Sequence, residues 1–170
     1  MANTQAAYGF KPWGPVLSTK SLPKLSGASV VSQWDVVDLN SSGGLQAATA
    51  GSNVIIGSAA HNSAGSTADR VLVFDDPEQK FEAQDDGSAT LAQGHVGNLA
   101  DHVAGTGSAV TLISGHTLNA TGASSSGAGF LLLDLVQRLN NAYGAYGSMV
   151  VACNEHFQKY ITGGLGRAGI

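Results

Sequence analysis

Charged residues are scarce in this chain of 170 residues: Asp, Glu, Lys and Arg together make up 12% of it, where about 25% is usual for a globular protein. Small neutral residues take their place, and 23 of them are glycines. A surface of this kind favours close approach between subunits, because few long, solvated side chains have to be immobilised on association. The composition therefore favours an assembled state of the protein.

Clustered positive charge is also missing. The net charge is −4, and the eight Lys and Arg residues are scattered singly along the chain. Such a distribution offers no stripe that could neutralise successive phosphates. The sequence thus predicts no nucleic-acid partner.

Long apolar runs and paired cysteines are missing as well. No apolar run approaches the roughly 20 residues that span a bilayer, and the N-terminus has neither the basic nor the apolar region of a secretory signal. The single cysteine, Cys153, has no partner for an intrachain disulfide, and the apolar residues around it favour a buried structural thiol. We therefore expect a soluble protein that is made in the cytoplasm and has no membrane partner.

The first 27 residues differ from the rest of the chain in composition and in hydrophobic pattern. They hold three of the four prolines and show neither a helical nor an alternating period. Because proline fixes φ and favours an extended predecessor, residues 1–27 are predicted to form an extended arm. The aromatic side chains of the arm need an apolar surface to cover, which either their own domain or a neighbouring subunit could supply. These aromatic residues are Tyr8, Phe10 and Trp13.

Residues 28–162 are predicted to form a single β-rich domain. Short β-favouring runs alternate there with Gly, Ser and Asn, which is typical of a β-barrel or a β-sandwich. The runs cover residues 30–39, 45–49, 53–59, 70–75, 80–85, 109–113, 130–139 and 148–154. The fold class is therefore mainly β, with at most short helical turns.

Three further segments complete the prediction. Residues 93–102 are the best candidate for a helical turn or a short helix, and residues 121–129 are predicted to form a flexible loop of low complexity. Residues 163–170 form a glycine-rich C-terminal tail.

The residue types that carry chemistry do not form a recognisable motif. His95, His102 and His116 lie near one another in sequence, but their spacing fits no compact zinc motif, and zinc needs three or four converging ligands. Residues 105–109, Gly-Thr-Gly-Ser-Ala, are a partial match to the hydrolase elbow but precede a predicted strand instead of following one. We therefore expect no catalytic residue, no metal and no cofactor.

The one concentration of charge is the acidic run at residues 75–78, Asp-Asp-Pro-Glu. It lies between two predicted strands, where Asp and Pro favour a solvated turn. A partner-facing acidic patch and a site for a hard cation such as calcium are the alternatives.

Several stretches resemble a family of phage virion structural proteins. They are the opening Met-Ala-Asn-Thr-Gln-Ala of residues 1–6 with Gly-Phe-Lys-Pro at 9–12, the run from Val71 to Gly87 that contains Asp-Asp-Pro-Glu-Gln-Lys-Phe-Glu, and Val-Gly-Asn-Leu-Ala-Asp at 96–101. Asn-Glu-His at 154–156 and Ala-Gly-Ile at 168–170 complete the pattern. The chain thus resembles a cement, or decoration, protein of a tailed-phage head.

This resemblance implies a small β-rich subunit, often a homotrimer, with a β-tulip or jelly-roll-like fold. It would bind the outside of the assembled head in the virion, at junctions between major capsid proteins, and stabilise the capsid lattice without catalysis. Tyr8, Phe10 and Trp13 would contact the capsid or a neighbouring subunit, and removing residues 1–14 would leave the domain folded but weaken capsid binding. A minor head, tail or fibre protein of the virion is the alternative, and a carbohydrate-binding β-sandwich module is the alternative of a different class.

Overall fold

The computed structural model describes residues 3–25, 30–52, 54–63, 69–88, 90–124 and 128–158. These residues form eleven strands and one 3-10 turn at Gln93–His95. The strands are β1 (Lys11–Trp13), β2 (Lys20–Pro23), β3 (Val36–Leu39), β4 (Leu45–Ala47), β5 (Ile55–Ala59), β6 (Arg70–Phe74), β7 (Lys80–Gln84), β8 (Leu99–Val103), β9 (Thr117–Ser124), β10 (Phe130–Leu135) and β11 (Ser148–Cys153).

The strands build two antiparallel sheets. The six-stranded sheet has the order β1-β7-β11-β10-β8-β9, and the five-stranded sheet has the order β2-β6-β5-β3-β4. The prediction of a mainly β fold is confirmed, and of its two alternatives the structure adopts the sandwich, since the sheets do not close into a barrel.

Alternation along the strands fills the main core between the sheets. In β7, Phe81 and Ala83 point inward, as the sequence pattern predicts, and in β11 the inward residues are Met149 and Val151. Cys153 continues this row and is buried, as expected. The inner face of the six-stranded sheet is therefore apolar, and its other face carries the intervening residues.

A second, smaller cluster lies on the opposite side of the five-stranded sheet. Val36 and Ile55 belong to the main core, whereas their chain neighbours Val37 and Ile56 belong to the second cluster. Because successive side chains of a strand point to opposite faces, β3 and β5 are covered on both faces.

The first two strands come from the predicted arm and lie at sheet edges. β1 pairs with β7 in the six-stranded sheet, and β2 pairs with β6 in the five-stranded sheet. Pro12 and Pro23 lie in these strands, where the missing N–H removes a donor that a further strand could use. The arm, as far as it is described, lies on its own domain. The predicted boundary at residues 27 and 28, and the tail at 163–170, fall outside the described residues.

The helical turn predicted within residues 93–102 is confirmed at Gln93–His95, but from Leu99 the segment continues as β8. The predicted loop at 121–129 starts too early, since residues 121–124 belong to β9, and the predicted strand at 109–113 is wrong. Residues 109–113 form a turn, because the Ser108 hydroxyl accepts hydrogen bonds from the amides of Val110 and Thr111 and draws the chain back on itself.

Candidate functional site

Phe10 fixes the arm from inside the molecule. Its side chain is completely buried in the main core, and its ring centroid lies 4.4 Å from that of Phe130. The amide of Phe10 donates to the carbonyl of Trp34 at 2.8 Å, and its carbonyl accepts from the Ser58 hydroxyl at 2.7 Å. The arm therefore contributes an essential part of its own domain's core.

A polar network holds the preceding residues on the outer face of the six-stranded sheet. Glu82 and Ser148 alternate with core residues and so point outward. The Tyr8 hydroxyl donates to Glu82 Oε1 at 2.6 Å and lies 2.9 Å from Ser148 Oγ. Arg138 donates to the same Glu82 oxygen and to Ser148 Oγ. Burial and the contact with Glu82 raise the pKa of Tyr8 to about 12, so its hydroxyl keeps its proton at neutral pH.

Residues further toward the N-terminus extend this network. The Ala6 amide donates to Gln84 Oε1 at 2.8 Å, and the Gln84 side-chain amide donates to the carbonyl of Thr4 at 2.9 Å. The Asn3 side chain donates to the carbonyls of Ala142 and Ala145. Residues 3–8 thus cover one half of the outer face, which we call the closed half.

The other half of the outer face is an open groove with a volume of about 530 Å³. Val150 forms part of its floor, because the neighbouring Met149 and Val151 point into the core. The arm forms one wall as it leaves β1. The apolar residues that line the groove are Trp13, Pro15, Leu17, Leu133, Leu135 and Val150.

The wall formed by the arm exposes large apolar side chains. The exposed fractions of Trp13, Val16 and Leu17 are 38%, 53% and 51%. We call these three residues the apolar ledge. Exposed apolar surface that borders a groove is a feature of interaction sites, and here the groove lies next to the ledge.

Charged groups lie at the rim of the groove. Glu78, Lys80 and Asp134 line it, and Glu78 belongs to the acidic run. The other members of that run are mostly occupied within the chain: Asp75 accepts a hydrogen bond from the Ser18 hydroxyl, and Asp76 Oδ1 accepts one from the amide of Glu78. The acidic run thus forms a turn, from which Glu78 reaches the groove.

A second exposed apolar feature is the turn at residues 108–113. Val110 is 91% exposed and Leu112, which has a φ of 58°, is 42% exposed. The turn is held by hydrogen bonds from the Ser108 amide to Ile113 and from the Leu112 amide to Ser108, and the Gln33 amide donates to Leu112. An ordered turn that exposes apolar side chains is suited to making contacts with a partner.

Two of the histidines are buried together. The rings of His102 and His116 stack with their centroids 5.6 Å apart, and Asp35 Oδ1 lies 3.6 Å from His116 Nε2. Burial lowers the pKa of His102, and burial together with the neighbouring His102 lowers the pKa of His116 to about 4. Burial also raises the pKa of Asp35. Across the described residues, no three His, Cys, Asp or Glu side chains are arranged to hold a metal ion.

The three predicted contact residues have different surroundings. Trp13 is exposed on the ledge, Tyr8 is half-buried in the polar network, and Phe10 has no exposed surface. A contact through Phe10 would require the arm to leave its own domain. Val16 and Leu17 were missed, although their position directly after Trp13 and Pro15 in the proline-containing arm was the available signal.

In comparisons with known proteins, no family model, no curated protein and no solved structure matches this chain. The resemblance to phage cement proteins stays a prediction. Among the residues that the structure describes, none forms a helix long and apolar enough to cross a membrane.

Proposed function

We propose that this protein is a phage capsid cement protein, which binds the outer surface of the assembled head and stabilises the lattice of major capsid proteins. The observation that carries the proposal is the apolar ledge beside the open groove. The ledge presents Trp13, Val16 and Leu17 to a partner. The buried Gln79 side chain holds their backbone in place, because it accepts a hydrogen bond from the Leu17 amide and donates one to the Trp13 carbonyl, so that little conformational entropy is lost on docking.

The distribution of exposed apolar residues supports a bridging role. The ledge and the turn at 108–113 are built from different parts of the chain. A subunit with two contact surfaces can bind two neighbours at once and gains avidity from doing so. Because it would bind the closed lattice and not its separated subunits, its binding free energy would stabilise the shell.

The decisive experiment is a binding titration with phage heads from which the protein has been removed. Trp13→Ala and Leu17→Ser should each weaken binding about tenfold or more, as expected for residues that anchor an interface. Leu139→Ser is the matched control, because Leu139 is 93% exposed but does not line the groove. Equal binding by wild type and both ledge variants would contradict the proposed docking surface.

The number of copies per particle separates the related roles. Cement requires a copy number that matches the capsid lattice, whereas a minor head, tail or fibre protein is present in a few copies. A low copy number in quantitative gel analysis of purified particles would favour this alternative.

A carbohydrate-binding module is the second candidate, and the same residue favours it. Trp13 presents an aromatic ring beside a groove with polar groups at its rim, and aromatic rings of this kind have an apolar face and can bind through it. Binding of oligosaccharides that is lost in Trp13→Ala, together with unchanged binding of that variant to heads, would support this candidate instead.

A further inference from the structure

The buried histidine pair connects the two sheets. His102 lies on β8 and His116 directly precedes β9, at one side of the six-stranded sheet, whereas Asp35 directly precedes β3 of the five-stranded sheet. His102 Nε2 also lies 3.4 Å from the carbonyl of Ala48, which follows β4. The β8–β9 hairpin is therefore attached to the five-stranded sheet through a buried polar cluster.

Several polar atoms of this cluster have no hydrogen-bond partner. They are His102 Nδ1, His116 Nδ1 and Asp35 Oδ1. The other Asp35 oxygen accepts from the Ser32 amide at 2.7 Å. Unpaired polar atoms in an apolar interior are costly, and a charge there costs more.

The groups that face the cluster fix its charge. Asp38 from β3 and Asp101 from β8 act on His102 electrostatically, and His102 and His116 act on each other. Ser114 interacts with Asp35, and the rings of Phe10 and Phe130 pack against His102 in edge-to-face arrangements.

We propose that His102, His116 and Asp35 form a proton-sensitive latch, which holds the β8–β9 hairpin against the five-stranded sheet near neutral pH and releases it on acidification. Two neutral rings stack without charge repulsion. Two protonated rings would place like charges 5.6 Å apart in a buried site, where their repulsion is weakly screened. Opening of the hairpin hydrates both rings and removes this cost. The latch does not depend on the proposed function.

The direction of the pH effect follows from the shifted groups. Because the pKa of each buried histidine is lowered, to about 4 for His116, the open form binds more protons than the closed form between pH 6.5 and about 4. Opening therefore becomes easier as the pH falls through this window, by up to about tenfold per pH unit for each histidine. The raised pKa of Asp35 acts in the opposite direction, but one carboxyl group opposes two imidazoles.

Native-state hydrogen exchange between pH 7 and 5 tests the latch, after correction for the intrinsic pH dependence of exchange. The amides of Ala100, His102 and Leu118 report on the β8–β9 hairpin, and those of Phe81 and Val151 report on the rest of the six-stranded sheet. We expect protection in the hairpin to fall at least about tenfold relative to β7 and β11. Parallel behaviour of both groups of amides would overturn the proposal.

His116→Gln removes one of the two titrating rings and should reduce this drop severalfold, while His102 keeps its own contribution. His61→Gln is the matched control, since His61 is exposed, and it should keep the full drop. A full drop in His116→Gln would contradict the latch. If that variant does not fold, the wild-type imidazole resonances decide: titration of His102 and His116 with ordinary midpoints near 6.5 would overturn the proposal, and midpoints clearly below 6.5 for both rings would support it.

Discussion

The two halves of the outer face of the six-stranded sheet differ in what covers them. The closed half carries the polar groups of Glu82, Gln84 and Ser148, which are all bonded to residues 3–8 or to Arg138. The open half carries Val150 and Leu133 under a groove. The same arm contributes to both, since Tyr8 closes the first half and Trp13 borders the second.

This difference separates a stabilising part of the arm from a presenting part. Before Trp13, every described anchor of the arm points to its own domain, through Phe10 and the polar network. From Trp13 to Leu17 the large side chains are exposed. Substitutions in the first part should therefore change the free energy of unfolding, and substitutions in the second part should change binding.

The largest decrease in the free energy of unfolding should come from Phe10→Ala. Removing a buried aromatic side chain costs about 3–5 kcal/mol through lost burial and the cavity that remains. Urea unfolding of the purified protein measures this loss. Trp13→Ala is the matched control, because its ring is partly exposed, and it should cost less than Phe10→Ala. Equal losses in the two variants would show that the arm does not divide in this way.

This prediction replaces the one drawn from the sequence, that the domain folds without residues 1–14. The deletion would remove Phe10 from the main core and β1 from the edge of the six-stranded sheet. A truncated protein would therefore be a poor test of binding, whereas single substitutions on the ledge leave the core intact.

Alanine substitutions at two glycines give a more specific comparison of the two parts of the arm. Gly9 and Gly14 both have a φ of 77°, so alanine at either position costs about 1 kcal/mol for the left-handed backbone conformation. At Gly9 an added Cβ would lie 2.3 Å from the Trp34 carbonyl oxygen and 2.4 Å from Ser114 Cβ, whereas at Gly14 nothing lies within 4 Å.

We expect Gly9→Ala to be less stable than Gly14→Ala by about 1–3 kcal/mol, because the backbone must shift to admit the methyl group. Thermal or urea unfolding of the two variants measures the difference directly. Equal stabilities would mean that residues around Phe10 adapt freely, which the buried position of its ring does not predict.

Much of the strand pattern could be predicted because large apolar residues alternate with polar ones. Lys80–Gln84 shows this alternation, and Phe81 and Ala83 point inward as predicted. In β8 the inward residues are Ala100 and His102. Buried and partly exposed residues alternate there as well, but the buried side chains are small or polar, so the alternation cannot be recognised from hydrophobicity. β9 was missed for a related reason, since Leu118 and Ala120 are followed by Gly and Ser.

The candidate site was harder to predict than the strands. The arm and its aromatic residues stand out in the sequence. Whether Phe10 or Trp13 is buried, however, depends on the strand with which β1 pairs and on the register of that pairing. The partners lie some 70 residues away, since Lys11 pairs with Glu82 and Trp13 with Lys80. The groove depends in addition on Leu133 and Val150. Local sequence carries no information about these distant pairings.

The smallest decrease in the free energy of unfolding should come from Tyr8→Phe, which removes one hydroxyl from the polar network of the closed half without disturbing the core. The variant loses the hydrogen bond to Glu82, but Glu82 keeps Arg138 as a partner, so we expect a loss of about 1 kcal/mol at neutral pH.

The stability difference between Tyr8→Phe and the wild type should shrink at alkaline pH. Because the pKa of Tyr8 is raised from 10.0 to about 12 in the folded protein, the wild type retains this proton more strongly than the unfolded chain, and its stability falls as the pH rises from 10 toward 12. Tyr8→Phe lacks that contribution, so the free energies of unfolding of the variant and the wild type should converge between pH 8 and 11. Gln5→Ala, at an exposed position of the same segment, is the control and should follow the wild type throughout. A constant difference between Tyr8→Phe and the wild type over this range would mean that the hydroxyl of Tyr8 is hydrated and that the closed half is held without it, through Asn3 and Gln84.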